Sequence, residues 1–364
     1  MDVAKLLPKS LPSGKKILWK EVDKERIEIS VDKNSARGGN AKPIVIRRFV
    51  PINELLFEGL GLRFGDGNRI QGGKFNVFGY SNTEIEQLKY FIKFSEECFD
   101  VKSNKFNVKI SINPNSEPQL EDIRNKVSKE LDIPLENFWK PQIFDKRKIP
   151  FVDIKIQSVI LGFVIKLVYE ITRNLMFSSD LFSAYFLRGV IAGEANVYVR
   201  KEGRLSDVFI ACEGETKRGF LRNLLSMIGI IPNKDKTKEN QEGVLINGLS
   251  NFRIMKKWNL TKLSPNKSKD FERGMKGFVK EEFRKGECKF LVLRILLDSK
   301  KSVKEIAKFL RRKPRTINDA VAFLERKNLI KRVRSRRNIF WEITENGSLF
   351  LKNNGTSKDL RNNN

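Results

Sequence analysis

The sequence predicts an α+β chain in which one order of elements occurs twice, followed by a separate basic module at the C-terminal end. Three observations carry this prediction. Two apolar, glycine-spaced segments, PINELLFEGLGLRFGDG (Pro51 to Gly67) and LFSAYFLRGVIAGEANV (Leu181 to Val197), each read as a helix ending in a carboxylate, Asp66 and Glu194. Each is followed by an alternating stretch, a second helical stretch and a further strand-like run. The last quarter then changes to short helical periods loaded with Lys and Arg.

Residues 1–45 contain SLPSGKK and DKNSARGGNAKP around two short apolar runs, ILWKEV and IEISV, and are expected to form an arm or a small hairpin. The first repeat covers residues 46–174. In its leading helix Leu55, Leu56 and Leu60 share one side, while Gly61 and Gly65 let a second helix come close. GGKFNVFGYSN, the helical TEIEQLKYFIKFSEECF and the strand-like KFNVKISINP follow. VILGFVIKLVYEITRNL reads as a connecting helix.

The second repeat covers residues 175–284. Leu181, Phe186 and Val190 form its apolar side, and Gly189 and Gly193 its small positions. ANVYVRKEGRLSDVFIACE reads as a hairpin turning at Lys201 to Arg204, and TKRGFLRNLLSMIG as a helix. Lys234 to Gly243 is expected as a charged exposed loop, and residues 353–364 as a disordered tail.

The two glycine-spaced helices, their terminal acids and the matching order downstream resemble the LAGLIDADG homing endonucleases over residues 46–284. That resemblance implies tandem αββαββα repeats forming a pseudo-twofold saddle on double-stranded DNA. It also implies a monomer, because both motifs lie in one chain. Asp66 and Glu194 then become the catalytic acids, holding Mg²⁺ or Mn²⁺ for phosphodiester cleavage. Gly61, Gly65, Gly189 and Gly193 become the packing positions between the motif helices. Lysines assist the site in that family, and Lys262 and Lys267 are the candidates in the second half, with Gln142 and Lys146 as looser counterparts in the first. The second motif departs from the pattern, with Ala192 and Ala195 where an acid and a glycine are common.

Composition points to the same class of partner by another route. There are 71 Lys and Arg against 44 Asp and Glu, a net charge of +27, and a polyanion is the natural complement. A hydrophobic content of 40% is enough for packed cores. Histidine is absent, which excludes Ser-His-Asp and Cys-His nucleophile systems and His-ligated zinc, so any hydrolysis rests on carboxylates and a hard metal ion. No phosphate-binding glycine-rich loop has the spacing of a P-loop. Cys98, Cys212 and Cys288 fit neither a disulfide framework nor a zinc site. The longest apolar run, VILGFVIKLVY, is broken by Lys166 and too short for a bilayer, so a soluble intracellular, nucleoid-associated chain is expected.

Residues 285–352 resemble a winged helix-turn-helix. Leu291, Ile295 and Leu296 mark one helix face, Ser302 caps VKEIAKFL, and Ile317, Val321 and Leu324 mark the next helix. Leu329–Val333 and Ile339–Ile343 alternate as strands around the tip SRRN. Nineteen Lys and Arg against 7 Asp and Glu leave +12 here. The resemblance puts Arg311, Arg312, Lys313, Lys331, Arg332, Arg334, Arg336 and Arg337 against phosphates. Arg315, Thr316 and Asn318, with Asp319, stand where the second helix reaches base edges.

Two functions fit these residues. One is site-specific binding and metal-dependent cutting of double-stranded DNA. The other is a transcription regulator that binds DNA on the same scaffold without cutting it.

Overall fold

A computed structural model of the chain describes residues 1–11, 13–32, 42–66, 77–144, 149–233, 236–238, 241–278, 287–310, 312–335 and 338–353, without the side chains of 66, 236–238, 287, 335, 338 and 353. The chain divides into two compact units, residues 1–277 and 278–364.

The first unit opens with an antiparallel sheet of β1 (Ile17–Glu21), β2 (Arg26–Val31) and β3 (Ile44–Arg47). The expected hairpin thus gains a third strand, which carries the sheet past residue 45. A lone hairpin is marginal in water. Here β3 seats Ile46 opposite Ile27, and both are fully buried.

Next comes α1 (Glu54–Asp66), whose start is fixed by Asn53, its side-chain oxygen accepting from the Leu56 N–H at 3.0 Å. Then follow β4 (Val77–Asn82), α2 (Ile85–Phe99), β5 (Asn107–Ile112), α3 (Leu120–Leu131), β6 (Gln142–Ile143) and β7 (Phe151–Gln157), with sheet order β4-β7-β5-β6. Phe91 and Phe94 of α2 pack on Phe78 of β4, and Phe78 and Phe91 pack on Phe106, with ring centroids 5.0 to 6.4 Å apart.

The long α4 (Val159–Ser178), capped by the Ser158 hydroxyl, leads to α5 (Asp180–Glu194). β8 (Ala195–Val199), β9 (Leu205–Ala211), α6 (Glu215–Met227), β10 (Lys236–Lys238), β11 (Gln241–Asn247), α7 (Leu249–Lys257) and α8 (Pro265–Lys276) complete the unit, with sheet order β10-β11-β9-β8.

The two sheets share a wiring. In each, the strand before the second helix (β4, β9) bonds to the last strand (β7, β11), which bonds in turn to the strand after that helix (β5, β10). α3 and β6 lie between β5 and β7, where the second half has only a short connection. Part of the stretch from Lys234 to Gly243 is sheet, not loop, since Lys236 to Lys238 pair with Gln241 to Gly243. β11 is a buried strand, and its open edge needs a bonding partner.

The second unit contains α9 (Glu287–Asp298), α10 (Val303–Phe309), α11 (Pro314–Arg326), the antiparallel pair β12 (Ile330–Ser335) and β13 (Asn338–Ile343), and α12 (Glu345–Asn353). Leu293, Leu296, Ile306, Ile317, Leu324 and Trp341 form its core. Ser302 and Glu305 make a reciprocal capping box at the start of α10. The tail expected from residue 353 lies, beyond the backbone of Asn353, outside the described residues. No described helix is long and apolar enough to cross a membrane.

Candidate functional site

The site is built on the contact between α1 and α5. A Cβ placed on Gly61 would lie 2.1 Å from the Phe186 carbonyl oxygen and 3.0 Å from the Gly189 Cα. One on Gly189 would lie 2.1 Å from the Glu58 carbonyl oxygen. The helices therefore touch backbone to backbone, a separation that only glycine allows at these positions. Phe57 of α1 stacks on Phe182 of α5 with ring centroids 4.4 Å apart, closing the upper part of the same seam.

This contact brings the two helix feet together. A Cβ on Gly65 would stand 2.8 Å from the Glu194 Cγ and 3.6 Å from the Gly193 Cα, so the stem of Glu194 packs on the residue next to Asp66. Asp66 is the last residue of α1; its side chain lies outside the described residues. Glu194 is the last residue of α5 and half-buried, and Ala195 turns to extended backbone to begin β8.

The two candidate lysines are separated. Lys267, in the first turn of α8, donates from Nζ to the carbonyls of Ile191 and Gly193, each at 3.1 Å, and to that of Ala192. A cation on the open carbonyls of a helix C-terminus is favoured by the helix dipole, and this one sits at the turn that carries Glu194. α8 is in turn tied to the first half, because the Ser264 hydroxyl donates to Glu84 at 2.8 Å.

Lys262 stands at the other end of the seam. Its Nζ pairs with Glu54 and, at 2.9 Å, with Glu58. Eight residues of helix, about 12 Å, separate Glu58 from Asp66.

Lys262 belongs to a buried polar knot that the sequence did not announce. Arg188 of α5 donates to Glu54 at 2.7 Å, to Glu58 at 3.0 Å and to the Trp258 carbonyl at 2.9 Å, while the Tyr90 hydroxyl of α2 donates to Glu58. Burial pushes the Glu58 carboxyl up against the pull of Tyr90, Lys262 and Arg188. Partial burial acts the same way on Glu54, yet Lys262 and Arg188 hold it below the usual range. The knot ties α1, α2, α5 and the α7–α8 connection together at four points. Of the first-half counterparts, Gln142 is exposed on β6 and Lys146 lies outside the described residues.

The second unit carries its own basic surface. α11 begins at Pro314 after Lys313, and Lys313, Arg315, Thr316 and Asn318 are exposed on it while Ile317, Ala320, Val321 and Leu324 face the core. Lys331, Arg332 and Arg334 are exposed along β12. Lys331 makes a surface pair with Glu342 at 3.4 Å, and Arg332 lies 5.8 Å from the centroid of the Trp341 ring. Arg312 is partly buried, its N–H donating to the Ala307 carbonyl at 2.7 Å. Arg311, Arg336 and Arg337 lie outside the described residues.

Among the described residues no group of three or more His, Cys, Asp or Glu is placed to hold a metal. The donor set at the helix feet is smaller, two carboxylates of which only Glu194 has a described side chain. Two hard oxygen donors suit Mg²⁺, which takes one or two carboxylates and fills its other positions with water and phosphate oxygens.

No family model and no curated protein matches the chain. Among the solved structures similar to it are two of low identity. One is full-length WhiA from Thermatoga maritima, 11% identical, covering 76% of this chain and 93% of that one with a TM-score of 0.36. The other is a mesophilic variant of the homing endonuclease I-DmoI, 13% identical, covering 58% and 98% with a TM-score of 0.29.

Proposed function

We propose that the chain binds double-stranded DNA and cuts it with a divalent metal held at the feet of α1 and α5. The observation that carries this reading is the packing of Glu194 on Gly65, which sets the second acid beside the residue preceding the first. Asp66 and Glu194 would hold Mg²⁺ or Mn²⁺, and the bound ion would supply charge for a developing phosphate anion and acidity for a water. Lys267 positions Glu194 by pinning the last carbonyls of α5.

On this reading the two sheets of matching wiring are tandem repeats, and their strands make the pseudo-twofold saddle across the duplex. A single chain suffices, so the protein works as a monomer. The second unit is a winged helix: α11 enters the major groove with Arg315, Thr316 and Asn318 toward base edges, while Lys331, Arg332 and Arg334 meet phosphates. The net charge of +27 supports the same partner through counterion release.

A second reading has its own observation. The Lys267 ammonium already sits on the C-terminal carbonyls of α5, close to where a metal would bind. That arrangement suits a regulator that binds DNA and leaves it intact. Incubating the protein with a randomised duplex library in Mg²⁺ or Mn²⁺, then sequencing bound molecules and cut ends, separates the two. Discrete cut ends support the endonuclease, and enrichment of an uncut site supports the regulator.

A further inference from the structure

At the helix feet lies a half-open cavity of about 830 Å³ lined by α1, α4, α6, Glu194 at the end of α5, and the ends of β9 and β11. Its size falls within the roughly 300–1,000 Å³ of small-molecule sites. Three of its cations, Arg63, Arg173 and Lys217, have no carboxylate or hydrogen-bond partner among the described residues. Two of them rest on or beside aromatic rings: Arg173 lies 4.9 Å from the Phe220 centroid, and Lys217 lies 5.7 Å from that of Phe64. The neighbouring charges are committed, Lys166 to Glu170 at 3.3 Å and Glu242 to Arg218. Glu194 and Glu213 have partners of their own.

Arg63 is the most telling of the three. It is half-buried in the wall of the cavity, and burial alone pushes its guanidinium down to about 10. A half-buried cation without a counter-charge among the described residues is costly to the fold, and such groups gather where a ligand supplies the missing charge. Tyr169, Phe64 and Phe220 add flat apolar surface to the same walls, their rings 5.9 to 6.4 Å apart where they meet. Guanidinium groups recognise phosphate oxygens, and aromatic faces stack on bases.

We propose that this cavity binds a nucleoside phosphate, with Arg63, Arg173 and Lys217 on the phosphate and the half-buried Tyr169 ring against the base. The site takes either a free nucleotide or the phosphorylated end of a nucleic acid strand. Glu194, which the proposed cutting uses, borders the cavity, but nucleotide binding here does not depend on whether the chain cleaves.

The test is a fluorescence titration of the full chain with N-methylanthraniloyl-ATP, displaced in separate arms by ATP, by a 5′-phosphorylated trinucleotide and by inorganic phosphate. Saturable binding of one probe per chain is expected, with inorganic phosphate at least tenfold weaker as a competitor than the better nucleotide. Stronger displacement by ATP assigns the site to free nucleotides, and stronger displacement by the trinucleotide assigns it to strand ends. Arg63→Met should weaken binding by about tenfold or more while leaving the Tm unchanged or higher, because it removes a half-buried charge that no described carboxylate offsets. Lys217→Gln, on an exposed side chain, tests the same site without touching the core. No saturable binding at millimolar probe, or equal affinity in wild type and both folded variants, would overturn the assignment.

Discussion

Glu194 and Gly65 are in contact across the helix pair: the point where a Cβ would sit on Gly65 is 2.8 Å from the Glu194 Cγ. Four residues up the seam, Gly61 and Gly189 approach so closely that neither leaves room for a methyl group. The position of the second acid therefore depends on glycines several ångströms from it.

Replacing Gly189 with Ala should force the helices apart, since the new Cβ would meet backbone atoms of Glu58, Gly61 and Leu62. Overpacking of this kind costs roughly 1–3 kcal/mol or more where the obstacle is backbone. Thermal unfolding should show a clear drop in Tm, and DNA affinity and any cutting should fall together. An unchanged Tm would mean that the seam is looser than described.

Removing the Lys267 ammonium should loosen the foot of α5. Lys267→Met is expected to cost about 1–2 kcal/mol, the range for a cation in a partly buried helix-end site. Cutting should fall more than DNA affinity, because the lysine acts through Glu194 and not on the groove. Equal losses in both would assign Lys267 to phosphate contact instead.

In the second unit, Arg315→Ala should relax sequence preference at about one base pair, at a cost of roughly 1–3 kcal/mol for the correct site. Arg334→Ala should weaken all sequences alike and reduce the slope of log affinity against log salt by about one. Binding selections on randomised duplexes measure the first, and salt titrations the second. Identical profiles for both variants would remove α11 from the role of reader.

Cys98 is fully buried, and desolvation pushes its thiol up to about 12. Almost no thiolate exists at pH 8 to 9, so alkylation of the native chain should leave Cys98 unmodified until denaturant exposes it. Peptide mapping after brief iodoacetamide treatment reads this directly. Early modification of Cys98 would show that α2 opens in the folded state.

The helices with a strong apolar period were legible in the sequence: the segments read as α1, α2, α4, α5 and α6 form where the pattern places them, as do β5, the β8–β9 turn and the Ser302 cap. The glycine spacing identified the face on which α1 and α5 meet, because close approach needs small residues at fixed intervals. α3, β3 and β10 were not legible. β3 and β10 are short, and their place is set by the edge they complete, which is a tertiary fact. The Glu58, Arg188, Lys262 and Tyr90 knot was hidden for the same reason, since its members are far apart in sequence and each alone resembles an ordinary surface charge. Lys262 and Lys267 were indistinguishable on paper; the start of α8 sends one to the foot of α5 and the other to the opposite end of the seam.

Metal-dependent cutting by the acids at the two helix feet depends on their negative charge. Asp66→Asn and Glu194→Gln keep the shape and hydrogen bonding of the carboxylates but lose the charge that binds a hard cation. The direct measurement is strand cutting of a selected duplex in Mg²⁺ beside its affinity in Ca²⁺, for wild type and both variants. Cutting by wild type that vanishes in each variant, with affinity nearly unchanged, is the predicted result. Tight binding by wild type with no cutting in Mg²⁺ or Mn²⁺, or cutting that survives both substitutions, would contradict it.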